Sequence, residues 1–333
     1  MAQRTISLAK ISVMGLMIAF LTLADTQAQV IHLRYGVIAN SARNLQSAPL
    51  YIAQRKGMLA KENLHLEIKP LPGVEHMINE LDKGAVDLSF TATPYLINAV
   101  LKGSDAVAVV GAAANTVYSL MVKPDIKSFA DLKGKTIAVS LPVDTISIAT
   151  RQLMEKHGVM EKDFTPKLLI GTPVRADCLL KGECDASPLG QPEDLIFQSK
   201  GYRKLGDSLE VIPVLQFSVV AARRQWAAAN RDAVLRFARV FGEAYRFMAD
   251  PANREEVIKI ATETTDASPE ILREALKFYY DPPRGIMPLH AEINMAGLTK
   301  VIDLLGASGA LQAPLPEAQR FVDLQYLKEV GLQ

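Results

Sequence analysis

The stretch that most constrains the fold is Met77 to Pro94, Met-Ile-Asn-Glu-Leu-Asp-Lys-Gly-Ala-Val-Asp-Leu-Ser-Phe-Thr-Ala-Thr-Pro. It reads as a helix tail stopped at Gly84, a buried strand from Val86 to Phe90, and a polar loop, Thr91 to Thr93, closed by Pro94. Glycine just past a helix permits the left-handed backbone that ends it. A continuous apolar run of strand length fits a parallel strand covered on both faces. The device returns 98 residues later: Leu180-Lys181-Gly182-Glu183-Cys184-Asp185-Ala186 parallels Asp82-Lys83-Gly84-Ala85-Val86-Asp87-Leu88, and Pro188-Leu189-Gly190 follows in place of the polar loop. Two copies far apart in one chain predict two α/β lobes of similar build. Ligands of open α/β sheets sit outside the carboxyl ends of the strands, so the two loops are the first candidates for a site facing inward from each lobe.

The 333 residues suffice for two domains. Residues 1–28 stand apart. Arg4 and Lys10 make a basic start, Ile11 to Leu23 an apolar run of 13, and Thr26-Gln27-Ala28 a cleavage site. This is the pattern of a secretory signal peptide, and the run is shorter than the roughly 20 residues a spanning helix needs. The mature chain is expected to be exported, periplasmic and not membrane-spanning. Without residues 1–28 it carries 35 basic and 35 acidic side chains. That balance argues against nucleic acid or a membrane surface as partner, since both select basic patches. Cys178 and Cys184 are the only cysteines. In an oxidising compartment they could pair; as small buried hydrophobes they need not, and the sequence leaves both readings open.

Along the chain, strands are expected at Ile31–Ile38, His65–Lys69, Val107–Val110, Thr136–Ser140 and Lys167–Ile170. Tyr118–Val122 and the apolar run Val211–Ala221 read as the two strands that cross between lobes. The resulting division is 29–120 plus 219–333 for lobe I and 121–218 for lobe II. Val234, Phe237, Ala238, Phe241, Ala244, Tyr245 and Met248 form one apolar helix face, and Leu298, Val301, Ile302 and Leu305 another. Such stripes predict a helical C-terminal extension packed on a lobe.

Taken together, Arg34-Tyr35-Gly36, Ala48-Pro49-Leu50-Tyr51-Ile52-Ala53, Lys56-Gly57-Met58, the paired Gly-x-x-Asp segments and Asp131-Leu132-Lys133-Gly134-Lys135 resemble the substrate-binding proteins of ABC importers. The resemblance covers about residues 30–310 and is greatest to the branch for sulfonates, taurine, nitrate and thiamine-related pyrimidines. It implies an α/β, two-lobed type II periplasmic-binding-protein fold with two crossing strands. It also implies a monomer without cofactor that binds a small molecule in its cleft and delivers it to a permease and ATPase.

By position, the family's contacting loops fall on Asn40, Ser41 and Arg43; Gly73 and Glu75; Thr91 and Thr93; Ser140, Asp144 and Thr145; Thr172 and Arg175; Pro188 and Gln191. Helix N-termini offer free N–H groups and partial positive charge to an anion, and small hydroxyls can donate to its oxygens. Capping explains many Ser and Thr before helices equally well, and Asp144 reads as an N-cap. Arg43 and Arg175 could clamp a carboxylate or sulfonate through two parallel bonds; exposed surface arginines are the ordinary alternative. Phe90, Tyr95, Tyr118 and Phe217 lie near expected strand ends, where they pack the core or sandwich a flat ring. No enzyme reading gathers support. His32, His65, His76, His157 and His290 are scattered, and no phosphate loop, nucleophile elbow or zinc motif occurs. The expected function is capture of a small organic anion. The alternatives are a binder of a thiamine-related pyrimidine, an enzyme of pyrimidine synthesis on the same scaffold, which the export signal opposes, and a free-standing solute sensor.

Overall fold

The computed structural model describes residues 29–39, 45–115, 118–265, 267–281 and 285–332. The expected signal peptide, with Asn40, Ser41 and Arg43, lies outside them. Among the described residues, ten strands form two mixed five-stranded sheets. The first contains β1 (Ile31–Ile38), β2 (Leu64–Leu71), β3 (Leu88–Ala92), β4 (Ala106–Gly111) and β10 (Ser218–Arg223), in the order β2-β1-β3-β10-β4. The second contains β5 (Ser119–Val122), β6 (Thr136–Val139), β7 (Thr165–Leu168), β8 (Ala186–Leu189) and β9 (Arg203–Asp207), in the order β7-β6-β8-β5-β9. In each sheet the fourth strand runs antiparallel to both neighbours and arrives from the other half of the chain. The chain therefore crosses between β4 and β5, and again through residues 208–217 between β9 and β10. The run Val211–Ala221 is regular strand only from Ser218; before it Ile212, Leu215 and Phe217 are buried without ladder pairing. The charged edge strand β9 had no apolar signal to announce it.

The repeated device is a matched pair. The helix α3 (Val74–Asp82) and its counterpart α6 (Thr172–Leu180) end at Gly84 and Gly182, with φ of 71° and 75°. The following aspartates do the same job in both lobes. Asp87 N–H donates to Arg34 O at 2.9 Å, while its carboxylate accepts from Arg34 N at 2.9 Å. Asp185 N–H donates to Thr136 O at 2.8 Å, and its carboxylate accepts from Thr136 N at 2.9 Å. Each carboxylate is then matched by a cation, Arg34 at 2.6 Å and Lys123 at 2.8 Å. The Gly-x-x-Asp segment thus pins the entry of the third strand to the first strand of its sheet, at the end away from the inward loops. The strand itself starts two residues later than expected, at Leu88, which draws Thr91 into it.

Cys178 and Cys184 form a disulfide from the last turn of α6 to the approach of β8. Closing so short a loop contributes about 2 kcal/mol on the chain-entropy account. The Cys178→Ser, Cys184→Ser double variant should lose about that much in denaturant unfolding. A midpoint insensitive both to the variant and to reductant would assign the constraint to the packing alone.

The remaining helices are α1 (Ala48–Arg55), α2 (Met58–Lys61), α4 (Thr93–Leu101), α5 (Thr145–Lys156), α7 (Glu193–Ser199), α8 (Arg224–Ala229), α9 (Arg231–Ala249), α10 (Arg254–Thr264), α11 (Pro269–Tyr280), α12 (Met295–Ala307) and α13 (Gln325–Glu329). All seven residues of the expected α9 stripe and all four of the α12 stripe are buried. Ser268 caps α11 by accepting from Ile271 N, with Pro269 opening the helix where its missing N–H is harmless. Two helices tie the halves together: α11 packs on α7, and α12 packs on α5. Among the described residues no helix is long and apolar enough to cross a membrane.

Candidate functional site

The loops after β2, β3, β6, β7 and β8 converge between the sheets on a cavity of about 180 Å³. The first sheet's side contributes Ile38, Gly73, Phe90, Ala92, Pro94 and Tyr95; the second contributes Ser140, Asp144, Thr145, Thr172, Arg175 and Gln191. Tyr118 and Phe217 enter from the two crossing segments, their rings edge-on at 6.2 Å. Seven of the residues that the resemblance placed on contacting loops therefore meet here, Gly73, Ser140, Asp144, Thr145, Thr172, Arg175 and Gln191, together with the four aromatic candidates Phe90, Tyr95, Tyr118 and Phe217.

Four others need correction. Thr91 sits in β3 and is buried, with its hydroxyl on Ala92 O. Thr93, fully buried at the start of α4, donates to the carbonyls of Gln216 and Phe217, fastening α4 to the second crossing segment. Strand alternation turns Thr91 from the cleft, the bonds to the second crossing segment hold Thr93 away from it, and Phe90, Ala92 and Pro94 line it instead. Pro188 lies inside β8 and contributes a carbonyl to Arg175. Glu75 is exposed and folds toward Gly73 and His76.

Arg175 is the unusual group. It is 1 % exposed, the largest fully buried side chain described. Its Nε donates to Pro188 O at 2.9 Å, Nη2 to Thr172 Oγ1 at 3.1 Å and Nη1 to Leu169 O at 3.4 Å. Its guanidinium lies 5.7 Å from the Tyr118 ring centre. All of these are neutral partners, and among the described residues no carboxylate forms an ion pair with it. Burial accordingly lowers its pKa, with Tyr118, through an electrostatic interaction and a side-chain hydrogen bond, and the charges of Asp144 and Glu193 acting the other way. A buried guanidinium held by neutral acceptors carries a charge without a paired carboxylate among the described residues.

Asp144 occupies the N-cap position of α5 but does not cap it. Its carboxylate accepts from Tyr95 Oη at 2.7 Å and from Ser140 Oγ. Tyr95 stands on α4, so this bond joins the two lobes across the cleft. Burial, then the neighbouring Asp144 charge, raises the Tyr95 pKa, so the phenol remains the donor. Glu193, at the start of α7, also lines the cavity. Sequence reasoning missed it because an acidic residue in a first helical turn reads as an ordinary complement to the helix dipole. Burial pushes its pKa up to about 7.

The NMT1/THI5-like family profile matches residues 44–254, well over half the chain. The chain belongs to this family. Among its relatives, a Bacillus subtilis protein named as a binding protein, YtlA, is 21% identical over 293 residues, covering 85% of this chain and 86% of that one. A Haemophilus influenzae protein named for thiamine biosynthesis is 33% identical over 133 residues, 39% of this chain and 40% of its own. Solved structures give the fold, the two-lobed type II periplasmic-binding-protein architecture. The ligand-binding component of an ABC-type import system from Staphylococcus aureus matches with a TM-score of 0.73 at 16% identity, covering 92% of this chain and 100% of that one. The alkanesulfonate-binding protein SsuA from Xanthomonas axonopodis pv. citri matches at 0.69 and 21%, covering 88% and 98%. The desulfurization enzyme DSZB matches at 0.65 and 16%, covering 90% and 98%.

Proposed function

We propose that this chain is an exported, periplasmic solute-binding protein that captures a small organic anion between its lobes and hands it to an ABC permease. Arg175 carries the reading: a fully buried guanidinium that borders the cleft and has only neutral partners. A sulfonate or carboxylate would supply the missing charge. It would touch both lobes, and a ligand that does so favours the closed arrangement that the Tyr95–Asp144 bond already spans. The import role is supported by the likeness to binding components of import systems.

A second reading has its own observation. Phe90, Tyr95, Tyr118 and Phe217 all line the cavity, and a relative is named for thiamine biosynthesis. A flat heterocycle such as an aminopyrimidine fits such walls, with the cleft carboxyls as its polar partners.

Thermal unfolding of residues 29–333, freed of carried-over ligand, separates the two. The panel holds alkyl sulfonates, aromatic and aliphatic carboxylates, nitrate and aminopyrimidines. Ligand at ~100 times its dissociation constant adds roughly 2.7 kcal/mol, a midpoint rise of about 5 °C. Anions alone should produce it. A shift confined to the aminopyrimidines would replace the anion reading, and no shift from any compound would remove both.

A further inference from the structure

Two carboxyl groups stand side by side where α7 begins, in different settings. Asp194 is buried, and its carboxylate accepts from Ser119 Oγ at 2.7 Å, Gln191 Nε2 at 2.8 Å and Leu195 N at 2.8 Å. Burial raises the Asp194 pKa, and these three donors, with Lys204, act against that rise. Glu193 borders the cavity beside Arg175, and among the described residues its carboxyl has its own backbone N–H as sole donor. Adjacent carboxyls largely withdrawn from water do not both ionise easily, and the one with fewer donors is the readier to keep a proton.

The charged and titratable groups around the pair come from every element packed on α7. Arg175 reaches Glu193 from α6, Tyr279 from α11, and Tyr118 and Asp144 share the field of Arg175 from the crossing segment and the facing loop. Lys204 on β9 acts on Asp194, and Ser119 on β5 donates to it. Among the described residues, Arg175 is therefore the cation that favours an ionised Glu193.

We propose that Glu193 is a specificity-determining residue that enters the ligand complex as the neutral acid, so that capture of an anion at Arg175 is coupled to uptake of a proton. This rests on the anion reading given above. An anion seated at Arg175 adds negative charge beside Glu193 and consumes the field that had favoured its ionisation. Both effects push the carboxyl to its neutral form, whose O–H can then donate to the ligand. Burial, then Asp194, have already raised the group to about 7 against the pull of Arg175, so near neutral pH it is about half ionised. The sign follows: the complex binds more protons than the free protein, so affinity is highest below pH 7 and falls as pH rises through it.

Titration calorimetry with butane-1-sulfonate, and with benzoate as a second probe, tests this at pH 6–8 in buffers of different ionisation enthalpy. A sulfonate stays ionised over that range, so any proton taken up goes to the protein. The expected result is uptake of roughly half a proton per ligand at pH 7, from the half-ionised carboxyl, with binding several-fold weaker at pH 8 than at pH 6. Glu193→Gln keeps a neutral donor and should bind with pH-independent affinity and no proton uptake. No uptake in the wild type, uptake that persists in Glu193→Gln, or proton release on binding would each overturn the proposal. If neither probe binds, that failure counts against the anion reading. The proton is then read without ligand: a protonated-carboxyl band in the infrared difference between wild type and Glu193→Gln, titrating near pH 7, supports the assignment, and its absence overturns it.

Discussion

Replacing Arg175 with methionine should weaken anion binding roughly tenfold to a hundredfold while leaving the stability of the ligand-free protein within about 1 kcal/mol of wild type. The first half follows from a charged hydrogen bond, worth about 1.5–3 kcal/mol. The second half comes from opposing terms. Methionine abandons the acceptors Pro188 O, Leu169 O and Thr172 Oγ1, and a buried acceptor left unpaired costs about 1 kcal/mol or more. It also removes a desolvated charge, and replacing buried ionic groups by apolar ones of similar size is often neutral or stabilising. An arginine that merely braced α6 against β8 would show the opposite pattern, with stability lost and affinity following it. Arg175→Lys sharpens the comparison, because it keeps a charge without the planar fork that holds Pro188 and Thr172 together. It should bind more weakly than wild type and better than the methionine variant. Calorimetry for affinity and chemical unfolding for stability are the two measurements. Full affinity in Arg175→Met would take the residue out of the site.

How much of this was legible in the chain depends on the range over which each residue finds its partners. The Gly-x-x-Asp repeat was readable because its glycine acts locally, stopping a helix just before a strand, whereas the aspartates find their partners 53 and 49 residues earlier, at Arg34 and Thr136. It foretold two lobes, and the inward loops followed from the general behaviour of α/β sheets. Arg175 was readable as a candidate by chemistry alone, though only its burial distinguishes it from a surface arginine. Thr91 and Thr93 were misplaced because β3 runs on to Ala92 and α4 starts at once, so the expected loop is absent: Thr91 lies in the strand and Thr93 in the first helical turn. Asp144 carries the signature of a cap, yet Tyr95, 49 residues earlier, claims its carboxylate. Glu193 and Asp194 look alike in sequence. What separates them is Ser119, brought from the other lobe's end of the chain by the crossing strand β5. The edge strand β9, Arg203-Lys204-Leu205-Gly206-Asp207, has too few apolar residues to show a period.

The hinge was the least legible part, and its glycines make the second large effect. Residues 286–297 strap both crossing segments. Asn115 N–H donates to Ile286 O at 3.0 Å, Gly111 N–H to Ala291 O at 2.8 Å, and Asn294 N–H to Gln216 Oε1 at 2.7 Å. The fully buried Gln216 in turn donates to Ala113 O and Ser218 O. Gly297, in the first turn of α12, lets that helix lie directly on the chain at Leu215; a Cβ there would fall 2.3 Å from the Leu215 carbonyl carbon and oxygen. Backbone cannot step aside as a side-chain tip can. Gly297→Ala should therefore reach the upper end of overpacking costs, about 3 kcal/mol, and lower the unfolding midpoint by roughly 6 °C. The same helix holds its own control. At Gly306 a Cβ would meet only the methyl ends of Leu315, 2.8 Å away on a partly exposed side chain that can turn. Alanine also favours a helix over glycine by about 1 kcal/mol, so Gly306→Ala should be nearly neutral. Because Gly297 seats the segment carrying Gln216 and Phe217, its substitution should also shift the cleft wall and weaken ligand binding, whereas Arg175→Met loses binding with the fold intact. Equal effects of Gly297→Ala and Gly306→Ala on midpoint would mean that the strap is not held by close backbone contact. Unchanged affinity in Gly297→Ala would mean that the hinge tolerates a displaced α12, and that lobe closure does not pass through it.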